Sequence, residues 1–189
     1  MNNNIEIIDN FLDQEYFDSL VAFFMDDKGP TDTGKVIEWT MVRNIEGLEN
    51  SDASPKLINM IHMFFMDITV GLNNGKKVCG VGHISSPFFD KILPLLGKLN
   101  IKSLLRVKAN LYPYSGETLH EHEMHTDYLF PHHAAILSIN TCDGYTRLED
   151  GTKIESIANR ILYLDGSQKH CSTTTTSKFA RINININYL

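Results

Sequence analysis

His125-Thr126-Asp127 places a neutral nitrogen ligand and a charged oxygen ligand two residues apart. On a β-strand, residues i and i+2 point to one face, so both side chains can meet one ion. His170 supplies a third ligand from a distant segment, and Arg181 follows it eleven residues later. Two histidines and one carboxylate form the facial ligand set that holds non-haem Fe(II) and leaves coordination positions open. An arginine beyond the second histidine suits a dicarboxylate co-substrate, because its planar fork matches carboxylate geometry.

Other ligand sets compete for this reading. Five of the eight histidines lie between 120 and 133. His120-Glu121-His122 is a His-x-His pair of the kind cupins use, though Glu123 follows it too closely to be a cupin's glutamate. His122 and His125 are three apart, a spacing that binds metal on a helix, and His132-His133 adds two more candidates. A cupin-like set and a segment that holds no metal are therefore both alternatives. Most of the surplus histidines are expected at the surface or beside the ligands, orienting them.

The elements that must position these residues fall into two textures. Residues 5–8 read as a short strand. Asp13 then caps a helix whose apolar stripe runs through Tyr16, Phe17, Leu20, Val21, Phe23 and Phe24 and ends near Asp26-Asp27. Residues 28–54 read as loop around one strand near Val36–Val42. Ser54-Pro55 starts a second expected helix, with Leu57, Ile58, Ile61, Phe64, Phe65 and Ile68 at helical spacing and Gly71 as its stop. His62 on that helix is expected to be a satisfied, partly buried histidine. Residues 71–86 are glycine-rich, and Ser86-Pro87 opens a third helix that Pro94 shortens or kinks.

From Ser103 onward, short segments rich in Val, Ile, Leu, Tyr and Thr alternate with turn residues. They are Leu104–Tyr112, Ala134–Thr141, Tyr145–Leu148, Lys153–Ile157, Arg160–Leu164 and Phe179–Tyr188. Strands at this spacing imply a sandwich or barrel. Asp150-Gly151 reads as a type I′ hairpin turn. In the last strand Ile182, Ile184 and Ile186 share one face, while Arg181, Asn183, Asn185 and Asn187 share the other. The N-terminal helices need an apolar sheet face to cover, so the isoleucines are expected outward against helices and Arg181 inward. The chain thus reads as one domain, 1–189, with helical support and loops over 1–102 and a β core over 103–189.

Composition narrows the function classes. The net charge is −6 and no basic run is present, which argues against nucleic-acid binding. Cys79, Cys142 and Cys171 are few and scattered, so a disulfide framework is not expected and a reducing, cytoplasmic setting is. The polar N-terminus lacks a signal-peptide core, and no apolar run is long enough for a bilayer. Oligomeric state is not legible.

The segment from Ser103 to Leu189 resembles the catalytic core of the Fe(II)/2-oxoglutarate-dependent dioxygenases of the prolyl 4-hydroxylase type, above all the compact phage and bacterial forms. The likeness rests on Leu105-Arg106-Val107-Lys108-Ala109-Asn110-Leu111-Tyr112 ahead of His125-Thr126-Asp127. It continues through Ser138-Ile139-Asn140 and Asp143-Gly144-Tyr145-Thr146. Arg160-Ile161-Leu162-Tyr163-Leu164 then leads to His170, and Arg181-x-Asn183 closes the pattern.

The resemblance implies a double-stranded β-helix, or jelly roll, mainly β, with N-terminal helices packed on its major sheet. It implies that His125, Asp127 and His170 ligate Fe(II). Arg181 is then expected to pair with the distal carboxylate of 2-oxoglutarate, with Tyr112 and Asn183 beside the same co-substrate. The implied activity is hydroxylation of a C–H bond with molecular oxygen, releasing succinate and CO2, with ascorbate as a candidate reductant. The implied substrate is a prolyl or other residue of a protein or peptide. A small molecule or free amino acid is the alternative, and an inactive metal-binding module on the same fold is another. The loops 28–54 and 71–86, with Trp39 and Lys76-Lys77, are where a substrate groove is expected.

Overall fold

The computed structural model describes residues 5–25, 37–42, 58–67 and 82–189. The masses of the architecture are two antiparallel sheets. The strands are β1 (Glu6–Ile8), β2 (Thr40–Val42), β3 (Asn59–Asp67), β4 (His83–Ser85), β5 (Leu104–Pro113) and β6 (His133–Ser138), followed by β7 (Tyr145–Leu148), β8 (Lys153–Glu155), β9 (Ile161–Asp165), β10 (His170–Ser172) and β11 (Ala180–Tyr188). The large sheet has the order β1-β9-β6-β11-β5-β3-β2, with β4 paired to β3. The small sheet is β10-β7-β8. Leu148 and Ile154 of the small sheet pack against Ala134, Ile136, Leu162 and Leu164 of the large one, so the two sheets face each other as in a jelly roll.

The outer face of the large sheet is covered by helix. Helix α1 (Gln14–Met25) begins where Asp13 accepts a hydrogen bond from the Glu15 amide through its side chain, as its capping role requires. Phe17, Leu20 and Phe24 are its buried residues. A 3-10 turn (Phe89–Ile92) leads into the short helix α2 (Leu93–Gly97), with Pro94 in its first turn. These helices join Ile182, Ile184 and Ile186 in one buried core. The isoleucine row of β11 therefore faces helix, and its polar row faces the space between the sheets.

Two expectations fail here. The second expected helix, over residues 57–68, is strand β3 in its described part, paired with β5 on one side and with β2 and β4 on the other. Residues 60–66 are apolar at every position except His62, and such a run matches the helical and the extended pattern equally well. A free edge on β5 decides it, because an unpaired central strand would leave buried amides unsatisfied. His62 and Phe64, two apart, share the helix-side face, and the register shift between Met63 and Phe65 brings Phe65 to that core as well. There His62 is satisfied, sharing hydrogen bonds with the Glu38 carbonyl at 2.8 Å and Ser86 Oγ at 2.9 Å. The hairpin at Asp150-Gly151 is not type I′, since Gly151 alone of the two has positive φ, at 90°. Instead Gly151 N–H donates to Leu148 and Leu148 N–H donates to Thr152, a turn closed by one left-handed glycine.

Trp39 packs against Phe24, with ring centroids 6.2 Å apart, on the helix side of the sheet. Lys76-Lys77, Gly71 and most of the two expected groove loops lie outside the described residues.

Candidate metal centre

His125 and His170 are paired through their backbones, each N–H donating to the other's carbonyl at 3.0 and 2.9 Å. Such a mutually bonded pair puts both side chains on one face, and the rings sit 4.9 Å apart. Asp127, two residues on, is anchored by its amide to the Gly166 carbonyl at 3.2 Å. One ligand atom from each of His125, Asp127 and His170 lies within 4.8 Å of the others. Among the described residues this is the single cluster able to hold a metal ion. His120, His122, His132 and His133 are not part of it.

The donors are prepared for a cation. His125 Nδ1 lies 3.2 Å from the Glu123 carbonyl, and His170 Nδ1 lies 3.0 Å from the Gln168 carbonyl. A carbonyl only accepts, so each Nδ1 carries the proton and each Nε2 keeps its lone pair. Burial, with His170 beside it, lowers the His125 pKa and keeps the ring neutral. Asp127 is 1% exposed in its side chain. Its Oδ1 accepts from Arg106 Nη2 at 2.6 Å, and its Oδ2 accepts from Asn187 at 2.9 Å and Asn185 at 3.2 Å. Burial alone would raise its pKa. The Arg106 and Lys108 charges overcome that and hold the carboxyl well below the usual carboxylate range.

The wall behind the cluster is a ladder of polar pairs made by β5 and β11. Arg181 stands opposite Tyr112, Asn183 opposite Asn110, Asn185 opposite Lys108 and Asn187 opposite Arg106. Asn110 donates to Asn183 at 2.8 Å, and Arg106 Nε donates to Asn187 at 3.1 Å. Asn183 is thus held within the wall by a neighbouring amide.

At the far end of the ladder Arg181 is 1% exposed. Its Nη2 donates to Thr146 Oγ1 at 3.0 Å and its Nη1 to the Thr173 carbonyl at 3.4 Å. The guanidinium lies 5.4 Å from the Tyr112 ring centre, and its Nε is buried without a partner. Gly144 makes room for it, since a Cβ there would come within 2.6 Å of Arg181 Cδ and 2.7 Å of the Thr174 carbonyl. His122 is buried edge-on to Tyr112 at 5.1 Å, also with an unpartnered Nε2. A buried cation with an orphaned donor, Arg181 Nε, fits an anionic ligand placed beside it.

Sequence reasoning missed Arg106, Lys108, Asn185, Asn187 and His122 as contributors. The signal for four of them was present, because Arg106, Lys108, Asn110 and Tyr112 alternate along β5 as the asparagines do along β11. For His122 no signal was available, as its neighbour Glu121 turns outward to Arg147 and only the backbone bond from His122 to Ser172 sets which of the two faces in. His132, expected among the surroundings, shares a 3.4 Å contact with the Asn187 amide and so steadies the residue that holds Asp127. His133 is exposed.

Comparison with known proteins agrees with the architecture. No protein-family model matches the chain, and no curated protein matches it by sequence. Among solved structures, the chain is similar over 97% of its length to 84% of an oxidoreductase of the 2OG-Fe(II) oxygenase family from Burkholderia pseudomallei, with TM-score 0.63 and 10% identity. It is similar over its full length to 84% of a Trichoplax adhaerens prolyl hydroxylase solved with a hypoxia-inducible-factor peptide, with TM-score 0.57 and 16% identity. A Pseudomonas putida prolyl-4-hydroxylase matches 99% of the chain over 93% of its own, with TM-score 0.55 and 11% identity. The fold is that of the 2-oxoglutarate oxygenases.

Proposed function

We propose that the protein is an Fe(II)- and 2-oxoglutarate-dependent oxygenase that hydroxylates a C–H bond. The observation that carries this is the clustering of His125, Asp127 and His170 in the jelly-roll interior, with buried Arg181 on the β5–β11 wall behind them. In this reading His125, Asp127 and His170 would hold Fe(II) and leave part of its coordination open. When bound, the iron and 2-oxoglutarate supply the oxidising power for C–H hydroxylation, with succinate and CO2 as by-products.

The chain's own residues fix the geometry. Arg106, Asn185 and Asn187 keep Asp127 ionised and aimed, and the Glu123 and Gln168 carbonyls set the histidine tautomers. Arg181 receives the distal carboxylate, with Thr146 holding one arm of its fork. Tyr112 forms the floor under that guanidinium. The substrate is a prolyl or other residue of a protein or peptide, by likeness to the neighbours, or a small molecule.

Anaerobic titration of the Fe(II)-loaded protein with 2-oxoglutarate, followed by visible absorption, tests the reading. A metal-to-ligand charge-transfer band is expected, followed by Fe(II)-dependent succinate release in air. A folded, metal-loaded sample that shows no band and releases no succinate would overturn it.

A further inference from the structure

Lys108 is the residue that the proposed chemistry leaves unused. It lies on the site-facing row of β5, one rung from Arg106 and one from Asn110, opposite Asn185. On that row Arg106 holds Asp127 and Tyr112 underlies Arg181, so Lys108 lies between them on the inner face of the wall. Among the described residues it makes no hydrogen bond and no ion pair: Asp127 pairs with Arg106 instead. Opposite it, the Oδ1 of Asn185 is buried and unpartnered. Burial, with the Arg106 charge beside it, brings the Lys108 pKa to about 8, which still leaves it protonated at neutral pH.

Charge balance says what is missing. The ladder carries Arg106, Lys108 and Arg181 and no acidic side chain. One carboxylate, Asp127, faces these three cations across the interior. On the reading proposed above, the metal adds two positive charges and the co-substrate two negative ones, so the set as a whole keeps an excess of positive charge. Lys108 is half-buried between these like charges, so a counter-charge that reaches it is favoured. Arg106 is answered by Asp127 and Arg181 by the distal carboxylate. Among the described residues Lys108 has no answering group.

We infer that Lys108 anchors a carboxylate at the metal-facing end of the pocket. This inference rests on the oxygenase reading for the identity of the neighbouring ligands. Two sources share the chemistry. One is the metal-proximal carboxylate of 2-oxoglutarate. The other is a carboxylate on the substrate, which would make the substrate a free acid rather than an internal peptide residue.

Calorimetric titration of Ni(II)-loaded wild type, Lys108→Met and Lys108→Arg with 2-oxoglutarate separates the sources, with circular dichroism confirming that each variant is folded. If the co-substrate is the source, Lys108→Met weakens 2-oxoglutarate at least tenfold and Lys108→Arg stays within about threefold of wild type, the scale of one charge-assisted hydrogen bond. If the substrate is the source, 2-oxoglutarate affinity is unchanged. The 2-oxoglutarate-saturated wild type then binds at least one member of a panel of L-amino acids and short organic acids. It binds neither that compound's amide nor, as Lys108→Met, the acid itself. Equal behaviour of Lys108→Met and wild type in both arms overturns the inference. A wild type that binds no 2-oxoglutarate overturns the oxygenase reading instead, and the acid panel on the Ni(II) protein then decides Lys108 alone.

Discussion

Arg106 Nη2 lies 2.6 Å from Asp127 Oδ1, a contact between the middle of the large sheet and the segment that carries the first two metal-ligand candidates. Both partners are shielded, with side chains 15% and 1% exposed. Under the proposed metal-binding role of Asp127, Arg106 is the group that makes the buried carboxylate tolerable. Replacing it by Met strands a buried charge, a change that costs about 3–5 kcal/mol in comparable settings. Arg106→Met is therefore expected to lower the metal-free unfolding free energy by that amount in urea, and Ni(II) should restore part of the loss. Unaltered stability in the metal-free variant would show that the pair is not structural.

Asp127→Asn keeps the shape of the side chain and removes its charge. His170→Ala removes a ligand. Each is expected to abolish Ni(II)-dependent thermal stabilisation and 2-oxoglutarate turnover while leaving the far-ultraviolet spectrum unchanged. Wild-type behaviour in both variants would place the metal elsewhere.

Arg181→Met should leave metal binding intact and raise the 2-oxoglutarate Kd by roughly ten- to a hundredfold, as expected for loss of one charge-assisted pair. Arg181→Lys should recover only part of this, because a point charge lacks the fork. Calorimetry on the Ni(II) protein reads both effects. Unchanged affinity in Arg181→Met would remove the arginine from the co-substrate site.

Gly144→Ala tests the same pocket from behind. The added methyl meets both Arg181 Cδ and a backbone carbonyl, so the guanidinium must shift. We expect weaker 2-oxoglutarate binding with metal affinity retained. An alanine variant with wild-type co-substrate affinity would mean that the fork position is not limiting.

His122 offers a pH signature. Burial, then the neighbouring Arg181 charge, lowers its pKa to about 4, against about 6.5 in an unfolded chain. The unfolded state therefore binds the proton more readily, and the stability that the neutral ring contributes is full above about pH 6.5. It is lost as pH falls through that value toward 4, by up to about 3 kcal/mol at 1.36 kcal/mol per unit. His122→Gln should flatten the stability curve in this window relative to wild type. Parallel curves for the two proteins would contradict the assignment.

Much of this was legible because β-strands alternate. The polar and apolar rows of β11 are written in Arg181-Ile182-Asn183-Ile184-Asn185-Ile186-Asn187, and the helices' need for an apolar partner told which row faces inward. Strand spacing after Ser103 pointed to a sandwich or barrel, and the family resemblance narrowed that to a jelly roll. What was not legible depended on contacts across the chain. Residues 60–66 carry no decisive period, so β3 passed for helix until its pairing with β5 was seen. Arg106 reads as an ordinary strand charge because its partner, Asp127, arrives only when the fold closes. His122 could not be told from its outward neighbours without the backbone bond to Ser172.

The strict Ile/Asn alternation in β11 has a consequence for assembly. A slip of β11 against β5 by one residue would bury the asparagines under the helices and is strongly excluded. A slip by two would leave the apolar packing nearly as good, yet would set Arg181 beside the wrong neighbour. Hydrophobic burial thus enforces parity but cannot count rungs. The counting falls to the Arg106–Asn187 and Asn110–Asn183 bonds and to the notch at Gly144. The polar residues of the pocket are also the chain's alignment marks, and altering them puts correct assembly at risk together with chemistry.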